Sequence, residues 1–335
     1  MKKKVTSVLL GIMTFSFLFL LTGCSGTDND ATVLRFAYAS NSQPVIDSMK
    51  EFGRLVEEKT NGEVRVEYYP DGQLGGEVEL IELTQTGAID FTKVSASALE
   101  GVSKDYSIFG VPYMFDSEEH FYQVMEDAEI MDRVYHSTDS LGFTGLTYYD
   151  SGQRSFYMVD GPINSPDDLK GKKIRVMQSE TAIKMVELLG GSPVPMGSSE
   201  VFTSLQSNLI DGAENNEFVL YTAGHGAVTK FYSYDEHTRV PDIVIMNNTL
   251  KDRLTTEQYN AVLEAAKEST EYEKEIFKEA VETEKAIAVE KYQVVFNDVD
   301  KTAFLEKVQP LHEEFKNNEN FRDMYDRIRE LADSE

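Results

Sequence analysis

The sequence of 335 residues contains 32 lysine and arginine residues against 58 aspartate and glutamate residues, so its formal net charge is −26. No basic stripe is present that could neutralise phosphates, which excludes a nucleic-acid partner, and an anionic ligand would need local cations to hold it against the negative field of the protein. The length exceeds what one hydrophobic core usually holds and therefore predicts two lobes.

The N-terminus has the pattern of a secretory signal. A lysine-rich start precedes an apolar run that ends abruptly at LTGC (21–24). The apolar run is too short for a membrane-spanning helix. These last four residues resemble the bacterial lipobox, in which cleavage leaves a cysteine that carries a diacylglyceryl group. The sequence predicts a lipoprotein signal peptide over 1–23, lipidation of Cys24 and a tether over 24–32, with an ordinary signal peptide as the alternative. Cys24 is the only cysteine, so the remaining chain has no thiol chemistry.

Strands and helices are predicted to alternate from residue 33 onwards. In the first segment we expect a strand over 33–39, a helix over 44–60, a strand over 64–68, a helix over 77–86 and a strand over 88–91. In a later segment we expect a strand over 173–177, helices over 181–189 and 200–207, and a strand over 209–213. This order is typical of a mostly parallel sheet with both faces covered.

The two segments resemble one another. At a constant offset of 121 residues, Glu79, Gln85, Ile89 and Asp90 recur as Glu200, Gln206, Ile210 and Asp211. Chance could produce four matches in twelve positions. A true repeat would give two similar α/β lobes that share a crevice at their strand ends, where ligands of open α/β sheets bind.

The last third of the chain predicts one long helix. Thr255 and Gln258 have the spacing of a capping box, and a helical pattern continues to about Tyr292. Its expected apolar face consists of Tyr259, Val262, Leu263, Ala266, Ile276, Phe277 and Ala280. Because no heptad is sustained, we expect a helix packed along both lobes and not a coiled coil.

The motifs of common enzymes are missing from the sequence. It contains no zinc-protease, nucleophile-elbow, P-loop or complete dinucleotide-binding motif, and its five histidines are scattered. Carboxylate pairs carry little information among so many acidic residues. We therefore expect no enzyme, no metal and no cofactor.

Several long motifs together point to a transport family. They are YPDGQLGGE (69–77), GAIDFT (87–92), YYDSGQR (148–154), PINSPDDLKGKKIRV (162–176), GGSPVPM (190–196), EVFTSLQ (200–206), IDGAENN (210–216) and EHTRVPD (236–242). The sequence closely resembles the solute-binding subunits of tripartite ATP-independent periplasmic (TRAP) transporters. The resemblance implies a two-lobed α/β periplasmic-binding-protein fold, with a ligand cleft between the lobes and the long C-terminal helix along both.

Arg175 is the leading candidate for ligand binding. It alternates with Ile174 and Val176 on a predicted strand, and a guanidinium group pairs bidentately with a carboxylate, which an ammonium group cannot do. The resemblance places the family's carboxylate-binding arginine at this position. It also implies a second cationic contact from Arg154, for which a salt bridge to an acidic residue is the alternative.

The resemblance implies further contacts in the cleft. Asn215 matches an amide that holds the carboxylate or a neighbouring hydroxyl, although turn formation could also explain it. Gln178, Glu77 and Ser95 fall on positions that vary with substrate, and Asn216 could bind hydroxyl groups. For His237 we favour a structural role over a ligand contact. Tyr148 and Tyr149 could stack on a sugar ring, but such aromatic residues more often belong to the core.

The motifs at 211–216 and 236–241 look like those of the branch that binds hexuronates such as glucuronate or galacturonate. C4-dicarboxylates, other sugar acids, lactate or pyruvate remain alternative ligands. An anchored hydrolase or a ligand-sensing partner of a membrane receptor remains an alternative role. The implied partners are a small organic acid, two integral-membrane transporter subunits and the membrane that holds the lipid anchor. We expect one lobe to contain 33–151 and 241–280, and the other 152–240 and 281–335. The protein would lie outside the cytoplasm.

Overall fold

A computed structural model describes residues 31–39 and 42–332 of the chain. The predicted signal peptide, the lipidation of Cys24 and most of the predicted tether lie outside the described residues. Among the helices of the described residues, none is both long enough and apolar enough to cross a membrane.

Strands and helices alternate, as the sequence predicts. The strands are β1 (Thr32–Tyr38), β2 (Val64–Tyr69), β3 (Phe91–Ser95), β4 (Phe143–Tyr149), β5 (Arg154–Met158), β6 (Lys173–Val176), β7 (Ser192–Pro195), β8 (Gly212–Asn215), β9 (Phe231–Thr238), β10 (Asp242–Asn247) and β11 (Val295–Asp298). The α-helices are α1 (Gln43–Lys59), α2 (Glu77–Gln85), α3 (Ala96–Leu99), α4 (Glu118–Glu126), α5 (Ala128–His136), α6 (Glu180–Leu188), α7 (Ser198–Gln206), α8 (Phe218–Thr222), α9 (Leu250–Arg253), α10 (Thr256–Tyr292), α11 (Thr302–Asn317) and α12 (Arg322–Ala332).

The strands form two sheets of similar topology. Their orders are β2-β1-β3-β10-β4 and β11-β9-β5-β8-β6-β7. β1 is parallel to β2 and β3, and β6 is parallel to β7 and β8, whereas β10 and β5 run antiparallel to both of their neighbours. β5 and β10 each follow a segment that crosses between the sheets, at 150–153 and 239–241 respectively. The two-lobed α/β fold is therefore confirmed. The strand that follows the first crossing, β5, belongs to the second sheet, and the strand that follows the second crossing, β10, belongs to the first sheet.

The inner strands are enclosed on both faces. β3, β5 and β10 are buried at every position, which is typical of sheets covered by helices on both sides. One face of the first sheet contains an aromatic cluster in which Phe36, Phe52 and Phe91 pack at centroid distances of 5.3–5.9 Å. Such packing fixes the strands, so the residues at their ends are held in defined positions.

The long helix α10 confirms the prediction from the capping box. Thr255 Oγ1 accepts a hydrogen bond from Gln258 N at 3.2 Å, and Gln258 Oε1 accepts one from Thr255 N at 3.1 Å. α10 packs on α1 and β4 of the first lobe and on α8 of the second. Val262, Ala266 and Phe277 are buried as expected. Leu263 is exposed instead, because the buried stripe passes through neighbouring positions of the helix.

The 121-residue repeat is a structural repeat. α2 and α7, and the first residues of β3 and β8, are related by the same offset. In each unit a glutamate accepts a hydrogen bond from the backbone of the glycine before its helix: Glu79 from Gly76, and Glu200 from Gly197. An aspartate accepts one from the backbone of the neighbouring strand: Asp90 from Arg35, and Asp211 from Lys173. Two of the four shared residues, the glutamate and the aspartate, therefore fix the backbone in the same way in both units.

Two strands begin later than the sequence predicts. β3 starts at residue 91 and β8 at residue 212, whereas the expected strands were 88–91 and 209–213. The preceding residues still bond to the end of a helix: Ala88 N donates to Leu83 O and Leu209 N donates to Ser204 O, each at 2.9 Å. These turns delay both strands by three residues.

The predicted division of the chain into lobes stays a prediction. Strands from 33–151 and 241–280 build the first sheet, and strands from 152–240 and 281–335 build the second. α12 differs from this scheme, because it packs on α4 and α5 beside the first sheet. Its apolar side chains Met324, Tyr325 and Ile328 complete the core there.

Candidate ligand-binding cleft

A cleft of about 740 Å³ is lined by residues of both lobes. The strand ends of both sheets and the N-terminal ends of α2 and α7 face it. Its walls include all the binding residues that the sequence predicts, namely Glu77, Ser95, Arg154, Arg175, Gln178, Asn215 and Asn216.

Arg175 is buried, and no acidic residue in the described part of the chain pairs with it. Its side chain is 5% exposed, and its Nε and Nη2 donate to Met196 O at 3.1 and 2.8 Å. Among the described residues it forms no salt bridge. Burial lowers the pKa of the Arg175 guanidinium, which is the effect expected for a charge that has lost water. The group keeps unused N–H donors beside the cleft.

Arg154 is equally buried but has an acidic partner, Glu214. Its Nε and Nη2 donate to the Glu214 carboxylate at 2.6 and 3.0 Å, its Nη2 also to Glu214 O at 2.8 Å, and its Nη1 to Asn215 Oδ1 at 2.7 Å. Four of its five N–H donors are therefore used within the protein. The structure thus contains the salt bridge that the sequence leaves open as an alternative role.

A buried charge network supports Arg154. His237 lies 2.7 Å from Asp235 Oδ2 through Nδ1 and 3.4 Å from Glu214 Oε2 through Nε2. Burial lowers the pKa of His237, but the two carboxylates outweigh burial and raise it to about 9. Burial also opposes ionisation of Glu214, yet Arg154 and His237 lower its pKa to about 2. The network consists of two ion pairs, Arg154 with Glu214 and His237 with Asp235. This pairing supports the structural role expected for His237.

The two asparagines have different environments. Asn215 Oδ1 accepts hydrogen bonds from Arg154 Nη1 and from Asn216 N at 2.9 Å, while its amide nitrogen bonds to no described residue. Asn216 bonds through its amide to Ser151 O and accepts a hydrogen bond from Phe218 N at 3.1 Å. Asn215 therefore offers donors to the cleft, whereas the side chain of Asn216 mainly fixes the crossing segment.

On the first lobe, Glu77 and Ser95 bond to each other. Glu77 Oε1 accepts from Ser95 N at 2.8 Å, and Oε2 accepts from Ser95 Oγ at 2.9 Å. Each carboxylate oxygen can accept a further hydrogen bond. Gln178, on the opposite lobe, is exposed at the cleft and bonds to no described residue.

The sequence did not identify three residues that also line the cleft. Lys93 Nζ lies 2.9 Å from Asp242 Oδ2 and 4.0 Å from Glu77 Oε1, and both Lys93 and Asp242 are buried. Burial raises the pKa of Asp242, although Lys93 opposes the rise. His225 Nδ1 lies 2.8 Å from the Tyr157 hydroxyl, and burial together with Arg175 lowers the pKa of His225 to about 4.

The repeat relates the Lys93–Asp242 ion pair to the Arg154–Glu214 ion pair of the other lobe. Lys93 corresponds to Glu214 at the offset of 121 residues. Asp242 corresponds to Arg154, because each begins the antiparallel strand that follows a crossing. The two lobes therefore carry equivalent ion pairs with the signs of the charges exchanged.

Two tyrosines considered as sugar-stacking residues lie in the core. Tyr148 is 5% exposed, and Tyr149 is fully buried with its hydroxyl 2.9 Å from Ser269 Oγ. Neither lines the cleft. Among residues 31–39 and 42–332, no group of acidic, histidine or cysteine side chains is arranged to hold a metal ion.

Comparisons with known proteins agree with this architecture. The profile of bacterial extracellular solute-binding protein family 7 (DctP) matches residues 36–318. The uncharacterized protein YiiZ of Salmonella typhimurium is 48% identical over 318 residues, which cover 95% of this chain and 97% of that protein.

Two solved TRAP periplasmic solute-binding proteins are similar in structure. The protein from Anaerococcus prevotii, with bound α/β-D-glucuronate, is 40% identical and superposes with a TM-score of 0.87 over 90% of this chain and 98% of its own. The protein from Xanthobacter autotrophicus, with bound β-D-galacturonate, is 34% identical with a TM-score of 0.83 over 88% and 98%. The chain therefore belongs to bacterial extracellular solute-binding protein family 7, the TRAP solute-binding family that its sequence motifs predict.

Proposed function

We propose that this TRAP solute-binding protein captures a hexuronate, such as glucuronate or galacturonate, and that Arg175 binds the ligand's carboxylate. The observation that carries the proposal is the pairing of the cleft cations. Lys93 is neutralised by Asp242 and Arg154 by Glu214, whereas Arg175 has no acidic partner among the described residues. A buried, unpaired guanidinium is unfavourable without a ligand and provides a bidentate site for a carboxylate.

Hydrogen-bonding groups around Arg175 suit a polyhydroxylated acid. The amide of Asn215 can donate to the carboxylate or to a hydroxyl oxygen, and Gln178 can both donate and accept. Glu77 and Ser95 offer acceptors on the opposite lobe. The bound glucuronate and galacturonate of the two similar solved proteins support a uronate ligand.

Capture would proceed by closure of the lobes around the ligand. The crossings are tied together where Arg239 Nε donates to Asp150 Oδ1 at 3.0 Å, and Gly152 has a positive φ of 75° within the first crossing. We expect the lobes, divided as the sequence predicts, to rotate about these segments. A ligand bridging Arg175 and the first lobe would then stabilise the closed form.

The family is extracytoplasmic and acts in transport. We further propose that the closed form is delivered to two integral-membrane TRAP subunits and that a diacylglyceryl group on Cys24 anchors the protein. We expect no turnover of the bound acid, because the described residues of the cleft provide binding groups and the family acts in solute binding.

Thermal unfolding of the protein starting after Cys24, with uronates, C4-dicarboxylates, 2-oxo acids and sialic acid, tests the proposal. A ligand at 100 times its dissociation constant should add ~2.7 kcal/mol to the free energy of unfolding. Stabilisation by uronates alone would support the proposal. Stabilisation by a dicarboxylate alone would overturn the assigned ligand while leaving the transport family in place.

A further inference from the structure

The wall of the cleft opposite Arg175 is acidic. It contains Glu77 and Asp242, and the ammonium group of Lys93 lies between their carboxylates, 4.0 Å from Glu77 Oε1 and 2.9 Å from Asp242 Oδ2. One cation therefore faces two anions. This group, which we call the acidic trio, has a net charge of −1 when all three side chains are ionised.

The acidic trio has unused hydrogen-bond acceptors. Asp242 Oδ1 accepts no hydrogen bond from a described residue, although the side chain lines the cleft and is 9% exposed. Glu77 accepts one hydrogen bond on each oxygen, both from Ser95. Lys93 is the only cation of the trio and is already paired. The wall can therefore accept hydrogen bonds from ligand hydroxyls but has no free cation for a second acid group.

The two walls act on each other electrostatically. Glu77 contributes to the field at Arg175, and Arg154 contributes to the field at Asp242. Because Arg175 and the acidic trio line the same cleft from opposite lobes, a ligand that spans the cleft with its carboxylate on Arg175 extends toward the trio. A hydroxyl placed there gains a charge-assisted hydrogen bond, whereas a second carboxylate is repelled or has to displace Asp242 from Lys93.

We propose that the acidic trio, through Asp242, restricts the ligand to monocarboxylic acids with hydroxyl groups at the distal end and rejects acids with a second carboxylate. The proposal rests on the proposed function, because it takes the first carboxylate to lie on Arg175. It adds Asp242 as a specificity-determining residue and argues against a C4-dicarboxylate ligand.

The test compares glucuronate with glucarate, which carries a second carboxylate in place of the aldehyde carbon. Dissociation constants for both acids are measured by calorimetric titration with the wild-type protein and with Asp242→Asn. We expect the wild-type protein to prefer glucuronate by at least about 100-fold. Asp242→Asn should weaken glucuronate binding about 10-fold and strengthen glucarate binding about 10-fold, because Lys93 becomes available to the second carboxylate.

Control variants show whether the change in ligand preference is specific to the cleft or follows from a lower net charge of the protein or from a loss of folding. Asp252→Asn removes the same charge from the exposed face of α9 and should leave the preference unchanged. Glu77→Gln lowers the charge of the trio at a second position, so it replaces Asp242→Asn if that variant does not fold. Circular dichroism verifies the fold of each variant.

Each outcome decides the proposal. A preference that falls about 100-fold in Asp242→Asn, or that falls by a smaller factor in Glu77→Gln in its place, supports it. If the preference is unchanged in the variant, or if neither protein binds glucarate, the role of the acidic trio is overturned. The proposed function still stands in that case, provided that glucuronate binds. Failure of the wild-type protein to bind either glucuronate or galacturonate would overturn the proposed function itself; if it binds only galacturonate, galactarate replaces glucarate in the same comparison.

Discussion

Replacing Arg175 and Arg154 separately by methionine should affect the free energy of unfolding differently, although both side chains are about 5% exposed or less. Arg154 donates four hydrogen bonds, three of them to Glu214. Within the part of the chain that the structure describes, Arg175 donates only to Met196 O. The pKa values of the two guanidinium groups differ accordingly. Burial lowers the pKa of Arg175, whereas the attraction of Glu214 outweighs burial at Arg154 and raises the pKa of that group.

The magnitudes follow from the partners that remain. Arg154→Met leaves a buried Glu214 without its main partner, which costs ~3–5 kcal/mol and should lower the melting temperature by roughly 5–10 °C in a protein of this size. Arg175→Met removes an unpaired buried charge and leaves one carbonyl without a donor, so the ligand-free protein should change by no more than ~1 kcal/mol. Ligand affinity should nevertheless fall ~10²–10⁴-fold in Arg175→Met.

Circular dichroism of ligand-free protein gives the melting temperatures, after any co-purified ligand is removed by unfolding, dialysis and refolding. Calorimetric titration with glucuronate gives the affinities. Arg65→Met is the matched control, because the Arg65 side chain is 60% exposed in its pair with Glu57. If Arg175→Met destabilised the ligand-free protein as much as Arg154→Met, or bound glucuronate normally, the reasoning from unpaired charge would be refuted.

Two further predictions concern the second lobe. The pKa of His237 is raised from 6.5 to about 9, so its contribution to stability is present below pH 6.5 and is lost as pH rises through 9. The melting temperature should therefore fall between these pH values. In His237→Asn, a plot of melting temperature against pH should be flatter over the same range. Gly212→Ala should lower the free energy of unfolding by ~1–3 kcal/mol, because the added Cβ would lie 2.2 Å from Met158 Sδ and 2.7 Å from Tyr157 O. Chemical denaturation measures this loss, and Gly101→Ala is the control, since its Cβ would approach only to 3.4 Å; equal losses in both variants would contradict the steric argument.

Local patterns in the sequence predict the elements well. The capping box at Thr255 gives the start of α10, and the alternation around Arg175 places that residue on β6 at the cleft. Strand starts are less predictable, because the turns after α2 and α7 continue to bond to those helices. Local propensity contains no information about how many residues such a turn uses.

Ion pairs between distant residues could not be predicted from local patterns. Lys93 and Asp242 meet because β3 pairs antiparallel with β10, in a register that places Ser95 opposite Asp242. Likewise, nothing in the sequence distinguishes Glu214 from the other 57 acidic residues as the partner of Arg154. The sequence could therefore place Arg175 at the site but could not show that it lacks an acidic partner among residues 31–39 and 42–332.

The exchange of charges between the two repeat units gives the cleft an electrical polarity. One scaffold occurs twice, yet the strand that follows each crossing begins with Arg154 in one lobe and with Asp242 in the other. A perfectly symmetric duplication would present the same charge to both ends of a ligand and could not tell them apart. Here the inverted pairs distinguish head from tail, so an asymmetric ligand can be held in one orientation only.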